Sequence, residues 1–455
     1  MTAALDEAAR DRIRREQEQI NLEQIRKHGA EARETGGLPI PRDAPGVRAA
    51  DWTLTLAKKG ERFAGDERNV ATALRSAPEL RALVRHNRFS QAVELTRSPP
   101  WRLATPGESW TDDDDVALQI WLQERGLDVR SRATVGAPVV LDAKERPYHP
   151  VLAYLKGLRW DGTARLDTWL MDYLDCEGPP EYLRVVGRAW LVSAVARIRQ
   201  PGCQVDHVLV LEGPQGAGKS RTARTLAVQP DWFCGDLPDL GNKDALLQLA
   251  GKWIVELGEL AAIRRAELER VKGFISQPRD VYRPPYARRA VTIPRQSVFL
   301  ATTNESEYLR DRTGNRRFWP VRVGRIDLKA LERDRDQLWA EAYLAFVAGD
   351  AWHLTGADLV LAEAQQSERV QHTELESAVH EYLDAQVAAG RTETTMRDVL
   401  VYGLRLDPDQ GDYVERARRL GADVAQTLRE NGWHLVGRQG RGANRRRVYR
   451  LSRPE

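Results

Sequence analysis

The chain is 455 residues long, 42% hydrophobic and 30% charged, with 69 Lys and Arg set against 66 Asp and Glu. That balance excludes a fibrous or wholly disordered chain, and the length exceeds what one ordinary core accommodates, so about three domains are expected. Three cysteines without a CxxC spacing argue against a disulfide framework or a zinc knuckle. No run reaches the roughly 18 uncharged apolar residues of a membrane helix, so a soluble, cytoplasmic protein without a membrane partner is expected.

Residues 1–45 read as a charged helical arm and a linker, "ETGGLPIPRDAPG", whose glycines and prolines interrupt regular structure. A mainly helical N-terminal domain follows over 46–175, where "NVATALRSAPELRALV" and "DDDVALQIWLQERG" repeat apolar residues every three or four positions. Thr111 ahead of the acidic run 112–115 predicts a helix N-cap with negative charge in the first turn. It does not predict a metal site, because four adjacent carboxylates in one turn cannot converge on one ion. "PEYLRVVGRAWLVSAVARIR", residues 180–199, predicts a long amphipathic helix.

From 176 to 370 four apolar runs, "HVLVLEG", "KWIVELGE", "SVFLATTN" and "RFWPVRV", alternate with polar and helical stretches, the pattern of a parallel sheet covered by helices. The tail, 371–455, carries three helical patterns and then two short strands, "WHLVG" and "RRRVYRL", as a winged-helix-like module would.

Directly after the first run, Gly213, Pro214, Gln215, Gly216, Ala217, Gly218, Lys219 and Ser220 spell G-x-x-x-x-G-K-S, and Arg221 opens the next helical stretch. Bare backbone lets successive N–H groups turn toward a phosphate, and the helix that follows adds the positive end of its dipole. Lys219 reaches the outer phosphates and Ser220 offers a hydroxyl to Mg²⁺, so ATP and Mg²⁺ are the expected ligands. The second run ends in Glu256, expected to face the metal opposite Ser220. Glu259, three positions on, is expected to orient or deprotonate a water, although a surface position stays open for each. The third run ends in Asn304, a candidate to hold that water. Arg316 and Arg317 ahead of the fourth run are candidates for an arginine offered to a neighbouring subunit's phosphate.

The ordered set "GPQGAGKS", "WIVELGE", "FISQPRDVYRPPYARRAVTIPR", "VFLATTN" and "DRTGNRRFWPV" resembles the virulence-associated E family, over roughly residues 50 to 370. That family is similar to phage and mobile-element superfamily 3 helicases of the AAA+ class. The resemblance implies an α/β P-loop AAA+ core with Gly213 to Ser220 as Walker A, Glu256 and Glu259 as Walker B, Asn304 as sensor 1, and Arg316 or Arg317 as the finger. It also implies assembly into a ring or hexamer with shared ATP sites.

Two arginine clusters are candidate DNA contacts. "RDVYRPPYARRAVTIPR" places Arg283, Arg288 and Arg289 beside Tyr282 and Tyr286, with Lys272 on the preceding helix, and reads as a hairpin lining a ring pore; a solvated basic loop is the alternative. Residues 437–453 hold seven arginines and no acid, Arg445, Arg446 and Arg447 among them, on the expected wing or else on a solvated tail. The function expected is a Mg²⁺-dependent ATPase and oligomeric DNA helicase or translocase, acting on single-stranded or forked DNA with possible replication factors as partners. An ATP-switched DNA binder or loader is the first alternative, and a P-loop small-molecule kinase the second.

Overall fold

The computed structural model describes residues 52–235, 243–259, 265–283, 290–309, 314–369, 374–439 and 446–452. The arm at 1–45 and the candidates Tyr286, Arg288, Arg289 and Arg445 lie outside the described residues. The chain divides into two compact units, one holding the residues up to 306 with 313–368, the other 307–312 with the residues from 369 on.

The first unit begins with a short hairpin of β1 (Lys58–Lys59) and β2 (Arg62–Phe63), followed by a sheet of β3 (Val84–Asn87), β4 (Val93–Leu95) and β5 (Pro147–Tyr148) in the order β4-β3-β5. Helices Glu67–Ser76, Asp112–Gln123 and Ala133–Lys144 enclose a core that includes Leu74, Leu118, Trp121 and Val135. Thr111 caps its helix as expected, in a reciprocal capping box with Asp114. The sequence had not shown where Asp114 faces: it is buried and accepts from Trp101 Nε1 at 2.9 Å and Arg102 Nε at 2.8 Å. Burial opposes its ionisation, yet the hydrogen bonds from Arg102, Trp101 and Thr111 bring its carboxyl down to about 2.

The same unit carries a five-stranded sheet. β6 (Val208–Glu212), β7 (Phe233–Cys234), β8 (Ile254–Leu257), β11 (Val298–Thr303) and β12 (Phe318–Arg322) lie in the order β12-β6-β11-β8-β7, every neighbouring pair parallel. The four expected strands are all present, and β7 adds a two-residue fifth that is too short to show a pattern. β6 and β11 are buried at every position, as strands covered on both faces require. Pro320 is tolerated in β12 because that strand is an edge, and its carbonyl accepts from Tyr182 Oη at 3.0 Å. Between β8 and β11, β9 (Arg279–Tyr282) pairs antiparallel with β10 (Val291–Pro294), so the expected hairpin forms.

Helix Pro180–Arg199 has the expected bounds but is less amphipathic than its pattern suggests: every residue from Ala189 to Ile198 is buried. Indole N–H groups tie this layer together. Trp190 donates to Phe299 O at 2.9 Å and Trp253 to Ala194 O at 3.0 Å. Trp339, on helix Leu328–Ala348, donates to Leu226 O at 3.0 Å, and its ring lies 4.3 Å from that of Trp253. Each of these three indoles thus contributes buried area while its polar atom finds a partner.

The second unit contains helices Glu374–Ala388 and Tyr413–Glu430, a short helical passage through 396–403, and a sheet of β13 (Glu393–Thr395), β14 (Trp433–Gln439) and β15 (Arg446–Leu451) in the order β13-β15-β14. Val379, Leu383, Val424, Leu428, Trp433 and Tyr449 form its own core. The sequence reading located β14 and β15 but not β13. Among the described residues no helix is long and apolar enough to cross a membrane.

His207, just ahead of β6, is buried with its ring stacked 3.8 Å from that of Trp319 and its Nε2 without a hydrogen-bond partner among the described residues. Burial, with the charges of Arg197 and His353, pushes its imidazole down to about 3 from 6.5. The unfolded chain therefore takes up a proton that the folded chain refuses, and stability falls as pH drops from about 6.5 toward 3. His207→Phe, which keeps the stacking, should flatten this part of the stability profile in urea titrations at stepped pH; parallel profiles for parent and variant would refute the assignment.

Candidate functional site

The candidate site forms where β6, β8 and β11 end together. β6 leaves the sheet at Glu212, the chain turns through Gly213 to Gly218, and helix Lys219–Leu226 begins. Gly213 packs so closely that a Cβ there would lie 2.8 Å from Val323 Cγ2, while Gly213 N–H donates to Thr303 O at 3.2 Å. Gly218 has φ +101°, a conformation that side-chain-bearing residues rarely adopt. Close approach and positive φ explain why glycine stands at these two positions.

Lys219 is buried, and its ammonium donates to Gly213 O at 2.6 Å, Pro214 O at 2.9 Å and Asn304 Oδ1 at 2.9 Å. Burial lowers its pKa, with the Glu256 charge acting against that shift. Ser220 Oγ donates to Glu256 Oε1 at 2.6 Å, and Thr302 Oγ1 donates to the same oxygen at 3.0 Å. Leu300 is in register with Glu256 across β11 and β8, and Thr302 lies two residues further along, on the same face of the sheet. Nothing in the sequence alone signals this bond; strand alternation, once the register is known, supplies the signal.

A cleft of about 310 Å³ opens over these groups, lined by Gly216, Gly218, Lys219, Ser220, Asn304 and Glu259 among others; Arg221 also borders it. Glu259 is exposed and holds φ +49°, a left-handed conformation unusual for glutamate. Such strain is more often kept where a side chain has a task. The structure therefore brings together Gly213, Gly216, Gly218, Lys219, Ser220, Glu256, Glu259 and Asn304 from three separated stretches of sequence.

The arginines are placed elsewhere. Arg316 is exposed on the single turn Asn315–Arg317 ahead of β12, and Arg317 Nε donates to Ser276 Oγ at 3.0 Å; neither lines the cleft. Lys272 corrects the expectation of a nucleic-acid contact. It is buried, with Nζ near Gly314, so no phosphate backbone can reach it in this conformation. Tyr282 is likewise buried, which removes it as a stacking platform. Arg295 is fully buried: it pairs with Asp280, donates to Phe274 O and lies 4.5 Å from the Phe274 ring, so it anchors the hairpin. Arg279 and Arg283 stay exposed on β9 and just after it, and Arg447 is exposed and Arg446 half-buried on β15.

This geometry lies inside the stretch that matches a known family: residues 155–371 fit the virulence-associated protein E-like domain model. Residues 155–371 belong to that family. Every cleft residue named above falls within the virulence-associated E-like domain. No curated protein matches the chain. Two apo structures of the NrS-1 C-terminal region overlap it. One is 13% identical with TM-score 0.36, covering 81% of this chain and 96% of its own. The other is 14% identical with TM-score 0.38, covering 85% and 100%. With TM-scores this low, the overlaps add nothing to the description of the fold.

Gly218→Ala tests the turn. The nearest atoms to an added methyl are Leu328 Cδ1 at 3.5 Å and Ile326 Cδ1 at 3.8 Å, so there is room and the cost is backbone strain. Destabilisation of about 1–3 kcal/mol is expected in thermal or denaturant unfolding. An unchanged midpoint would contradict the left-handed turn.

Proposed function

We propose that the chain is a Mg²⁺-dependent ATPase that uses turnover to move along or open DNA during replication of a phage or mobile element. The observation that carries this reading is the Ser220 Oγ to Glu256 Oε1 contact of 2.6 Å beside the Lys219 to Asn304 contact of 2.9 Å. A hydroxyl, a carboxylate, an ammonium and an amide from three segments meet at the carboxyl edge of a parallel sheet, where α/β proteins bind their ligands. On this reading the sheet is a P-loop core of the AAA+ class, and the second unit, with three helical segments and the sheet order β13-β15-β14, is a winged-helix module.

The residues suit the ligands the reading requires. Ser220 and Glu256 are hard oxygen donors, and Mg²⁺ is commonly held by one or two carboxylates together with substrate phosphates. Bound there, Mg²⁺ would offset the charge that develops on the outer phosphates. Lys219 would exchange the carbonyls of Gly213 and Pro214 for phosphate oxygens. Asn304, released from Lys219, would orient the attacking water, and Glu259 would take its proton. Thr302 would hold Glu256 in position through the shared Oε1. Arg316 is suited to act on the site of a neighbouring copy, since it is exposed and outside its own cleft.

Lys219→Ala should abolish nucleotide binding, measured by fluorescence titration with a labelled ATP. Glu259→Gln should leave binding intact and lower turnover about 10²–10⁴-fold, the range for loss of a general base. Normal turnover in Glu259→Gln would assign the base elsewhere. With Lys219→Ala as the inactive control, a strand-displacement assay separates a motor from a switch: DNA-dependent turnover without displacement would mark an ATP-switched DNA binder.

Mixing experiments address a shared site. An Arg316→Ala chain combined with Lys219→Ala chains should recover part of the activity that each lacks alone, because some interfaces would pair an intact cradle with an intact arginine. No recovery at any ratio would place Arg316 outside the reaction.

A further inference from the structure

Helix Ala133–Lys144, in the first unit, is apolar nearly all round. One side buries Val135, Pro138, Val139 and Ala143, while Ala133, Ala137, Val140 and Leu141 form a second stripe, about 100° wide, that faces solvent. A helix apolar on every side is ordinarily covered on every side. Leu141 is 62% exposed although the next residue, Asp142, is buried, the reverse of what a solvent-facing surface selects. A Cβ at Gly136 would lie 3.2 Å from Asp115 Oδ2, so helix Asp112–Gln123 runs alongside, and its exposed Val116 and Ile120 extend the stripe.

The other side of helix Asp112–Gln123 carries a knob. The loop at 97–107 is fixed at several points: Ser98 Oγ donates to Ala104 O at 2.9 Å and accepts from Ala104 N at 3.0 Å, Gly107 N–H donates to Leu95 O at 2.8 Å, and Trp101 and Arg102 both hold Asp114. At its tip Leu103 is 94% exposed, more than any other large apolar side chain among the described residues. A loop held this firmly presents its leucine with little ordering left to lose on contact. Leu54 is exposed on the same side, since the ring of Trp52 stacks 6.1 Å from that of Trp121, which faces the way Asp114 does. Val116 and Ile120 stand about 200° and 240° round the helix from Asp114, so knob and stripe point away from each other.

We infer that these are the two halves of one joint between copies of this chain: the Leu103 knob of one copy sits on the stripe of the next, in the hollow that Ala133 and Ala137 leave between bulkier side chains. Surfaces that differ and face apart join head to tail, so the contact repeats around a ring or along a filament. The charges fit this pairing. Arg97, which donates to the carbonyls of Pro78, Glu79 and Arg81, and Arg81 itself flank the knob, while Asp113 borders the stripe; among the described residues none of the three is in an ion pair. Glu79 beside the arginines and Lys144 at the far end of the stripe reduce the contrast without reversing it. The other charges at the stripe pair among themselves, Asp112 with Arg132 at 3.4 Å and Glu124 with Arg125 at 3.9 Å, so it offers no cationic patch to a nucleic acid. Both surfaces lie ahead of residue 155, outside the virulence-associated E-like stretch, and the inference does not rest on the ATPase reading.

The test follows the mass of the full chain by sedimentation over a range of concentration, without nucleotide or DNA. The parent should assemble beyond one chain as concentration rises. Leu103→Asp and Leu141→Asp should each move the midpoint of assembly at least about tenfold higher in concentration. Their thermal midpoints should match the parent's, because both side chains stand in solvent. A mixture decides the geometry: Leu103→Asp keeps an intact stripe and Leu141→Asp an intact knob, so equal amounts of the two should pair and stop at two chains. Leu103→Met, which keeps an apolar tip, should assemble as the parent does. A parent that stays single at every concentration overturns the proposal, and so does parent-like assembly of either aspartate variant or a mixture that forms no pairs. Assembly that appears only when DNA is added would make nucleic acid the occupant and overturns it too. A parent that assembles in this way yet never hydrolyses ATP would sink the ATPase reading and leave this one standing.

Discussion

Glu256 Oε1 receives two hydroxyl donors, Ser220 Oγ from the helix after β6 and Thr302 Oγ1 from β11. A carboxylate buried at this depth is tolerated only when its oxygens are satisfied, so this one atom ties the ends of β6, β8 and β11 together. The Lys219 ammonium does the same from the other side through two loop carbonyls and Asn304. A buried cation and a buried carboxylate are thus each met by fixed dipoles. These bonds hold the turn between β6 and its helix in shape.

The scaffold behind this edge is rigid for a separate reason. Strands buried on both faces need helices on both sides, and the indoles of Trp190, Trp253 and Trp339 each bond a backbone carbonyl of a neighbouring element. Those bonds set the depth at which helix Pro180–Arg199 and helix Leu328–Ala348 rest against the sheet and its first helix. The close ring contact of Trp253 and Trp339 links the β8 end of the core to helix Leu328–Ala348.

Arginine and lysine serve opposite purposes along the chain, and composition alone does not separate them. Arg295, paired with Asp280 between Phe274 and Phe299, fixes the β9–β10 hairpin to its base, and Lys272 is buried nearby. Arg418, Arg419 and Arg429 stand in solvent on one helix face. Each group looks like part of a basic cluster when read as a string; burial and partner decide which cations remain to meet an anion.

Much of the local structure was legible in the sequence because it depends on short-range chemistry. The spacing from Gly213 to Ser220 encodes a turn into a helix, Thr111 encodes a cap, and the runs at 208–212, 254–257, 298–303 and 318–322 encode buried strands by their predominance of apolar residues. Tertiary structure alone decided the strand order, which placed Thr302 against Glu256. It decided the two-residue strand β7, and it decided the burial of Lys272, Tyr282 and Arg295. The physical reason is common to all three: register between distant strands, and what covers a given side chain, are set by packing across dozens of residues, and no local pattern records them.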